Sequence, residues 1–131
     1  MAKREKLKIN WSFERLVKVL LIVAGIISLF TFFDFIIHSL SNEYAVPSYY
    51  FRNKIIFGTL WAFFIYLILR KWKIALSLKS FVFSALIAGI LQARYYYEGY
   101  PLDFVIEFLF FHFFILWVVS YIVFRVLKKE M

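Results

Sequence analysis

Six side chains that could bind a ligand or carry a charge fall within long apolar runs of the sequence. They are Asp34, His38, Gln92, Arg94, Glu107 and His112. Charged and strongly polar groups are costly in hydrocarbon and usually face a bundle interior or a wet cavity, so each is a candidate functional residue. His38 follows Asp34 by four residues, which places both side chains on one helix face. The sequence therefore predicts an intramembrane ligand-binding site made from these six residues.

Two interpretations of the charged residues in this site stay open. At about 1.5 Å of rise per residue, Asp34, Arg94 and Glu107 fall at a similar depth on three different predicted helices. They are either a structural ion-pair network that holds those helices in register, or the polar end of a pocket for an amphipathic molecule. The apolar walls of such a pocket are expected to be Phe32, Phe33, Phe108, Phe110, Phe111, Phe113 and Phe114.

Catalysis and metal binding are not predicted. Glu107 and His112 are five residues apart, about 140° around a helix, which disfavours a proton relay between them. We expect His112 to bond a neighbouring helix instead. The sequence has no cysteine, the histidines lie on different helices, and the carboxylates are counted at another depth, so no metal site is expected. No serine has a base in a triad arrangement, and the sequence therefore predicts neither catalytic residues nor a cofactor.

The elements that position these residues are predicted to be membrane helices. Of 131 residues, 64% are hydrophobic and 18% charged, which excludes a soluble enzyme of this size. Four apolar runs predict helices at about 16–40, 51–70, 74–97 and 102–126, in a single domain spanning 1–131. Residues 1–15 are basic and aromatic, and they are predicted to form an interfacial segment. Because the connections are short, the predicted fold is an all-α, antiparallel bundle of four transmembrane helices.

The distribution of basic residues predicts the orientation of the bundle. The net charge is +8, and thirteen of the sixteen Lys and Arg residues flank the side that carries both termini. By the positive-inside rule, both termini are expected in the cytoplasm of a multi-pass plasma-membrane protein. This clustering beside apolar runs indicates contact with anionic headgroups, and no nucleic-acid partner is expected. The Cys-free, Lys-rich and Phe-rich composition is compatible with an archaeal or bacterial membrane.

Small residues recur at a spacing of four on three of the predicted helices. Examples are Ser84 with Ala88 and Gly58 with Ala62, while Gly25 lies on the first helix. Such strips let helix backbones approach closely, within one chain or between two. We expect packing inside the bundle, with a homo-oligomer as the alternative.

Short motifs along the chain resemble the last four of the six helices of the Insig family. The resembling residues are Trp11-Ser12, Arg15, Gly25-Ile26, Asp34-Phe35, Gln92, Gly99-Tyr100 and Asp103-Phe104. Members of that family bind sterol-like lipids and regulate partner proteins by intramembrane contact. The resemblance implies a lipid-binding cavity without catalysis. The sequence departs from the family where an aspartate ends its fourth helix, because Arg70, Lys71 and Lys73 stand there.

Three hypotheses for the function follow. The first is a non-enzymatic bundle that binds a lipid, an isoprenoid or a hydrophobic partner helix. The second is a small oligomeric transporter or channel subunit in which Glu107 or Asp34 carries the coupling charge. The third is an accessory subunit of a larger membrane complex. The expected partners are thus membrane lipids, with a membrane protein or a second copy of the chain as further possibilities.

Overall fold

The computed structural model describes the backbone of residues 2–131 and the side chains of residues 13–131. Within this range all regular secondary structure is helical, and no β-strand is present. The helices are α1 (Ala2–His38), α2 (Tyr49–Leu69), α3 (Leu76–Tyr97) and α4 (Leu102–Val126). Two short 3₁₀ turns are present, at Asn42–Tyr44 and Lys128–Glu130. The side chains of the predicted interfacial segment, residues 1–15, lie mostly outside the described residues.

Each helix is long and apolar enough to cross a bilayer. The candidate spans are Phe13–His38, Tyr49–Leu69, Leu76–Tyr97 and Leu102–Val126, and the shortest has 21 residues. At about 1.5 Å per residue, 21 residues extend about 31 Å, which matches the hydrocarbon thickness of a typical membrane. Many large apolar side chains are exposed along these helices, such as Leu21, Phe64 and Ile122. The chain is thus a membrane protein with four helices capable of spanning.

Helix α1 begins at Ala2 instead of about 16, so its helix continues through the predicted interfacial segment; every other helix boundary lies within two residues of the predicted one. Helix α1 ends at His38 instead of about 40, and α3 begins at Leu76 instead of 74. The hydroxyl of Ser39 donates to the carbonyl of Phe35 at the end of α1. Pro47 then precedes α2. The apolar run continues past the last turn of α1, and hydropathy alone therefore places the C-terminal end of this helix two residues too late.

A Schellman motif ends α3. The amide of Gly99 donates to the carbonyl of Tyr96 at 3.1 Å, and the amide of Tyr100 donates to the carbonyl of Tyr95 at 3.2 Å. Gly99 has a φ of 91°, which favours a residue without a Cβ. This turn fixes the direction in which the chain enters α4, and with it the position of α4 beside α3.

The four helices pack in a ring. Helix α1 contacts α2 and α4, and α3 contacts the same two helices. The larger core cluster includes Val23, Ile27 and Phe30 of α1, Phe83 of α3 and Leu116 of α4. A second, smaller cluster lies near the start of α2 and α4 and is mainly aromatic; its buried members are Tyr50, Tyr95, Phe104, Val105 and Phe108.

Small residues have two different environments. Ser84 and Ala88 are fully buried, and the Ser84 hydroxyl lies 3.2 Å from that of Ser120. Gly58 packs against α1, since a Cβ there would lie 3.2 Å from Ile27 Cγ2. Gly25 and Gly89, in contrast, have open space beside them. The strips on α2 and α3 therefore pack within the bundle, whereas these two exposed glycines do not.

Candidate functional site

A buried group of polar side chains, which we call the polar cluster, draws on all four helices. Its members are Asp34 and His38 of α1, Lys54 of α2, Gln92 and Tyr95 of α3, and His112 of α4. Each of the six is at most 4% exposed. Such a concentration of ionisable groups within spanning segments is costly unless they satisfy one another, and it is therefore the first candidate for a functional site.

Asp34 is the centre of the polar cluster. Its Oδ2 accepts a hydrogen bond from the ammonium of Lys54. Its Oδ1 lies 2.7 Å from His112 Nε2 and 3.3 Å from His38 Nε2. Because a carboxylate can only accept, Nε2 of His112 carries the hydrogen in this contact. Nδ1 of the same ring then accepts from the side-chain amide of Gln92.

His38 is held from several sides. Its Nδ1 contacts the backbone carbonyl of Tyr44, and since a carbonyl can only accept, Nδ1 carries the hydrogen of the neutral ring. Nε2 therefore presents a lone pair to the cluster. It lies 3.3 Å from the Tyr95 hydroxyl and 3.4 Å from Lys54 Nζ, both of which can donate. The ring also stacks on Phe108, with centroids 4.2 Å apart and planes inclined by 4°.

The helical repeat explains why these residues meet. Side chains separated by three or four residues share a helix face, and that face is buried on each helix. The buried series are 30, 34 and 38 on α1; 50, 54, 58 and 62 on α2; 84, 88, 92 and 95 on α3; and 104, 108, 112 and 116 on α4. Each polar residue thus occupies a position that a core residue would otherwise fill.

The predicted ion-pair network of Asp34, Arg94 and Glu107 is wrong. Asp34 pairs with Lys54. Arg94 pairs instead with Glu98 of its own helix, at 3.2 Å, and its guanidinium lies 5.3 Å from the centre of the Tyr50 ring. Glu107 is exposed and has no ion-pair partner among residues 13–131. It lies off the buried face of α4, which explains its absence from the cluster.

The predicted aromatic wall is also wrong for most of its members. Phe108 is fully buried against His38. Four others are between 42% and 59% exposed and do not reach the polar cluster: Phe32, Phe33, Phe110 and Phe114. Phe33 and Phe114 line a separate, open apolar groove between α1 and α4. Phe111 and Phe113 are half-buried. The run of phenylalanines winds around α4, so that only every third or fourth one can face inward.

An open groove lies between α2 and α3, next to the polar cluster. Its volume is about 220 Å³. Asn53, Lys54 and Arg94 line its polar end, and the remaining walls are Phe57, Gly58, Trp61, Ile87, Ile90 and Leu91. The carboxylate partners of the two cations, Asp34 and Glu98, do not line it. The groove therefore offers basic groups at one end and an apolar surface along the rest.

The structure brings together three potential metal ligands that the sequence places at different depths. One potential ligand atom each from Asp34, His38 and His112 lies within 4.8 Å of the other two. Counting residues from the helix ends places Asp34 and His112 at different depths in the membrane. Asp34 is four residues from the end of α1 and His112 ten from the start of α4, so their contact requires helix ends that are staggered or tilted relative to each other.

Two members of the polar cluster, Lys54 and Tyr95, were not among the predicted site residues. In the sequence Lys54 flanks the second apolar run, and Tyr95 begins the run Tyr95-Tyr96-Tyr97; both patterns are typical of the membrane interface. A signal for Lys54 was nevertheless present, because it precedes Gly58 by four residues and Ala62 by eight. Small residues mark the face of α2 that approaches its neighbours, and Lys54 shares that face.

The fold and the site together define a class, an all-helical membrane protein whose four potential spans enclose a buried polar cluster. Comparison of the chain with protein-family models, with curated proteins and with solved structures finds no match. The resemblance to the Insig family accordingly stays a prediction.

Proposed function

We propose that this protein is a non-enzymatic membrane protein that binds an anionic lipid in the groove between α2 and α3. The observation that carries the proposal is the pairing, in one groove, of basic side chains at one end with apolar walls along the rest. Ligand sites commonly combine apolar walls with a few placed polar groups. Membrane lipids with a charged headgroup and a hydrocarbon tail have the complementary pattern.

The charges of the groove favour an anionic headgroup. Lys54 and Arg94 both line the polar end, and a guanidinium is well suited to bind phosphate through two parallel hydrogen bonds. Asn53 adds an amide that can donate to a phosphate oxygen. Lys54 is paired with Asp34, and Arg94 contacts Glu98 through Nε. A purely apolar isoprenoid would leave the Asn53 amide and the terminal guanidinium nitrogens of Arg94 unused, and we therefore favour a phosphate-bearing or carboxylate-bearing lipid.

The dimensions of the groove favour one acyl chain that stays in contact with the bilayer. From Lys54 to Trp61 the helix rises by about 10 Å, and the groove is open along one side. Trp61 is 52% exposed and Phe57 is 53% exposed. The first part of a chain would thus lie against α2 and α3, while its end would remain among other lipids.

The proposed orientation places this headgroup site in the outer leaflet. The positive-inside distribution of Lys and Arg favours cytoplasmic termini in an antiparallel bundle. Residues 39–48 and 98–101 would then face the outside, and Lys54 and Arg94 would lie just below them. A plasma-membrane location follows from the same reasoning.

Native mass spectrometry tests the lipid proposal. Protein reconstituted in vesicles with equal amounts of phosphatidylglycerol and phosphatidylcholine is released in mild detergent, and retained lipids are identified. We expect a phosphatidylglycerol adduct that Arg94→Ala reduces about tenfold, the loss expected for one charge-assisted contact. Arg52→Ala is the matched control, because Arg52 is an exposed arginine near the start of α2, at the same end of the bundle as Arg94. Equal retention of both lipids, or equal loss in both variants, would reject the proposal.

A second candidate function, proton-coupled or ion-coupled transport, is favoured by Asp34. This carboxylate is fully buried within a potential span and contacts three groups that can donate or exchange protons, Lys54, His38 and His112. Carriers use such intramembrane carboxylates for coupling. Glu107, the other carboxylate considered, is exposed and outside the cluster. A proteoliposome flux that Asp34→Asn abolishes and Glu107→Gln leaves unchanged would support this function over lipid binding alone.

A further inference from the structure

We propose that Asp34, His38 and His112 form a binding site for one divalent transition-metal ion of the zinc type, whose place Lys54 takes when the metal is absent. The proposal does not rest on lipid binding, although Lys54 lines both the polar cluster and the groove. Two imidazoles and one carboxylate from two helices are a donor set that zinc and its neighbours accept. Three protein ligands also leave one position open for water or another small ligand.

The distances between the three ligand atoms suit a small metal ion. Ligands held at about 2.1 Å in a tetrahedral site lie about 3.4 Å from one another. Asp34 Oδ1 is 3.3 Å from His38 Nε2 and 2.7 Å from His112 Nε2. The three ligand atoms together fall within 4.8 Å. The three atoms would therefore need to move by between several tenths of an ångström and slightly more than one ångström to reach a tetrahedral arrangement.

Both histidines have the outer hydrogen bonds that orient metal ligands. A ligating imidazole usually donates its second N–H to a carbonyl or carboxylate, which fixes the ring. His38 donates from Nδ1 to the carbonyl of Tyr44, and its Nε2 lone pair faces Asp34. This ring already has the tautomer and orientation that a metal requires.

The environment of Gln92 supports the same role for His112. The side-chain Nε2 of Gln92 bonds Nδ1 of His112, while Oε1 of Gln92 is buried without a partner. If a metal bound Nε2 of His112, the ring hydrogen would be on Nδ1. A half-turn of the Gln92 amide would then let Oε1 accept that hydrogen. The metal-bound tautomer thus pairs Oε1 of Gln92 in place of its amide nitrogen, so Gln92 can hold the His112 ring in either tautomer.

Lys54 is the main competitor for the site. Its ammonium bonds Asp34 Oδ2 and lies 3.4 Å from His38 Nε2, so it neutralises the carboxylate in the absence of metal. Lys54 also lines the groove between α2 and α3. The side chain therefore has space to move away from Asp34 along that groove when a divalent ion takes over the carboxylate.

Cobalt and zinc binding to the purified full chain tests this site. The protein is prepared without a polyhistidine tag, stripped with a chelator in detergent, and titrated with Co²⁺ and with Zn²⁺ against a chelating dye. We expect one ion per chain and the intense visible bands of tetrahedral Co²⁺. His38→Gln and His112→Gln should each weaken binding at least tenfold, and Gln92→Ala about 10- to 100-fold. Asp103→Asn, a change at an exposed carboxylate, should leave affinity unchanged.

Lys54→Met decides the proposal even if a histidine variant fails to fold, because it keeps all three ligands. Removing the ammonium should tighten zinc binding at least tenfold, and zinc should raise the melting temperature of this variant more than that of the original chain. The proposal is overturned by a lack of tetrahedral Co²⁺ bands in both proteins. It is also overturned by weaker binding in Lys54→Met, or by folded histidine variants that bind zinc as well as the original.

Discussion

The substitution Asp34→Asn should destabilise the protein strongly, because it leaves a buried cation without its partner. Asp34 is fully buried and Lys54 is 4% exposed, so water cannot replace the lost carboxylate. Breaking a buried ion pair from one side typically costs about 3–5 kcal/mol of unfolding free energy. The adjacent His112 also loses a charged acceptor at 2.7 Å, and we therefore expect the upper part of that range.

The exposed pair of Arg94 and Glu98 provides a matched control. Its nitrogen and oxygen are 3.2 Å apart, but the side chains are 39% and 33% exposed. Glu98→Gln should therefore cost less than about 1 kcal/mol. The variant with both Asp34→Asn and Lys54→Met should recover much of the loss, because no unpaired ammonium remains.

Unfolding in detergent micelles, followed by circular dichroism as denaturant is added, measures these differences. We expect a large loss of unfolding free energy for Asp34→Asn, a small loss for Glu98→Gln and partial recovery in the double variant. This expectation is refuted if Asp34→Asn costs no more than Glu98→Gln. It is equally refuted if the losses of the two single substitutions, Asp34→Asn and Lys54→Met, simply add in the double variant, since coupled charges should not behave independently.

Three further predictions concern the turns, the packing and the orientation. Gly99→Ala should cost about 1 kcal/mol in the same unfolding assay, because its φ of 91° is unfavourable for a residue with a Cβ; no loss would contradict the Schellman turn. Ser84→Ala should cost less than about 1 kcal/mol, since Ser120 keeps its bond to a backbone carbonyl, and a larger loss would show a stronger interhelical bond than we infer. In the cysteine-free chain, Ser41→Cys should react with an impermeant thiol reagent on intact cells and Lys73→Cys should not; the reverse labelling would invert the proposed orientation.

Helix positions could be predicted from the sequence because hydrocarbon imposes a simple length requirement. Arg70 marks the end of the second apolar run and of α2, and the turn at Gly99-Tyr100-Pro101 separates α3 from α4. The ends themselves depend on local hydrogen bonds, such as that of the Ser39 hydroxyl. These bonds have no signature in hydropathy, which explains errors of one or two residues at such ends. The start of α1 at Ala2, predicted near 16, lies in a basic segment that hydropathy does not mark as part of the helix.

The meeting of some of the polar-cluster side chains could be predicted from the sequence, whereas their role as a binding site stays a prediction. Asp34, His38, Gln92 and His112 meet as members of one layer, whereas Arg94 and Glu107 do not join them. Charge sign and approximate depth predict which residues lie at one level of the membrane. The rotation of each helix about its own axis decides which of their side chains face inward. Glu107 is five residues from His112 and therefore points elsewhere.

The choice of partner for Asp34 could not be predicted from depth alone. Arg94 and Lys54 both lie about one turn inside their helices, and both are cations near the same end. Lys54 shares the buried face of Gly58, whereas Arg94 is half-buried and reaches Glu98. The pattern of small residues, read together with charge, would have distinguished the two.

The measurement that tests lipid binding in the groove most directly is photo-crosslinking with mapping of the modified residues. Phosphatidylglycerol with a photoreactive group on its acyl chain is incorporated into vesicles with the protein, irradiated, and located by peptide mass spectrometry. Binding in the groove predicts adducts concentrated on Phe57, Trp61 and Leu91, which are displaced by unlabelled phosphatidylglycerol and reduced by Arg94→Ala. Adducts spread evenly over exposed residues such as Phe64 and Phe110, without displacement, would contradict a lipid site between α2 and α3.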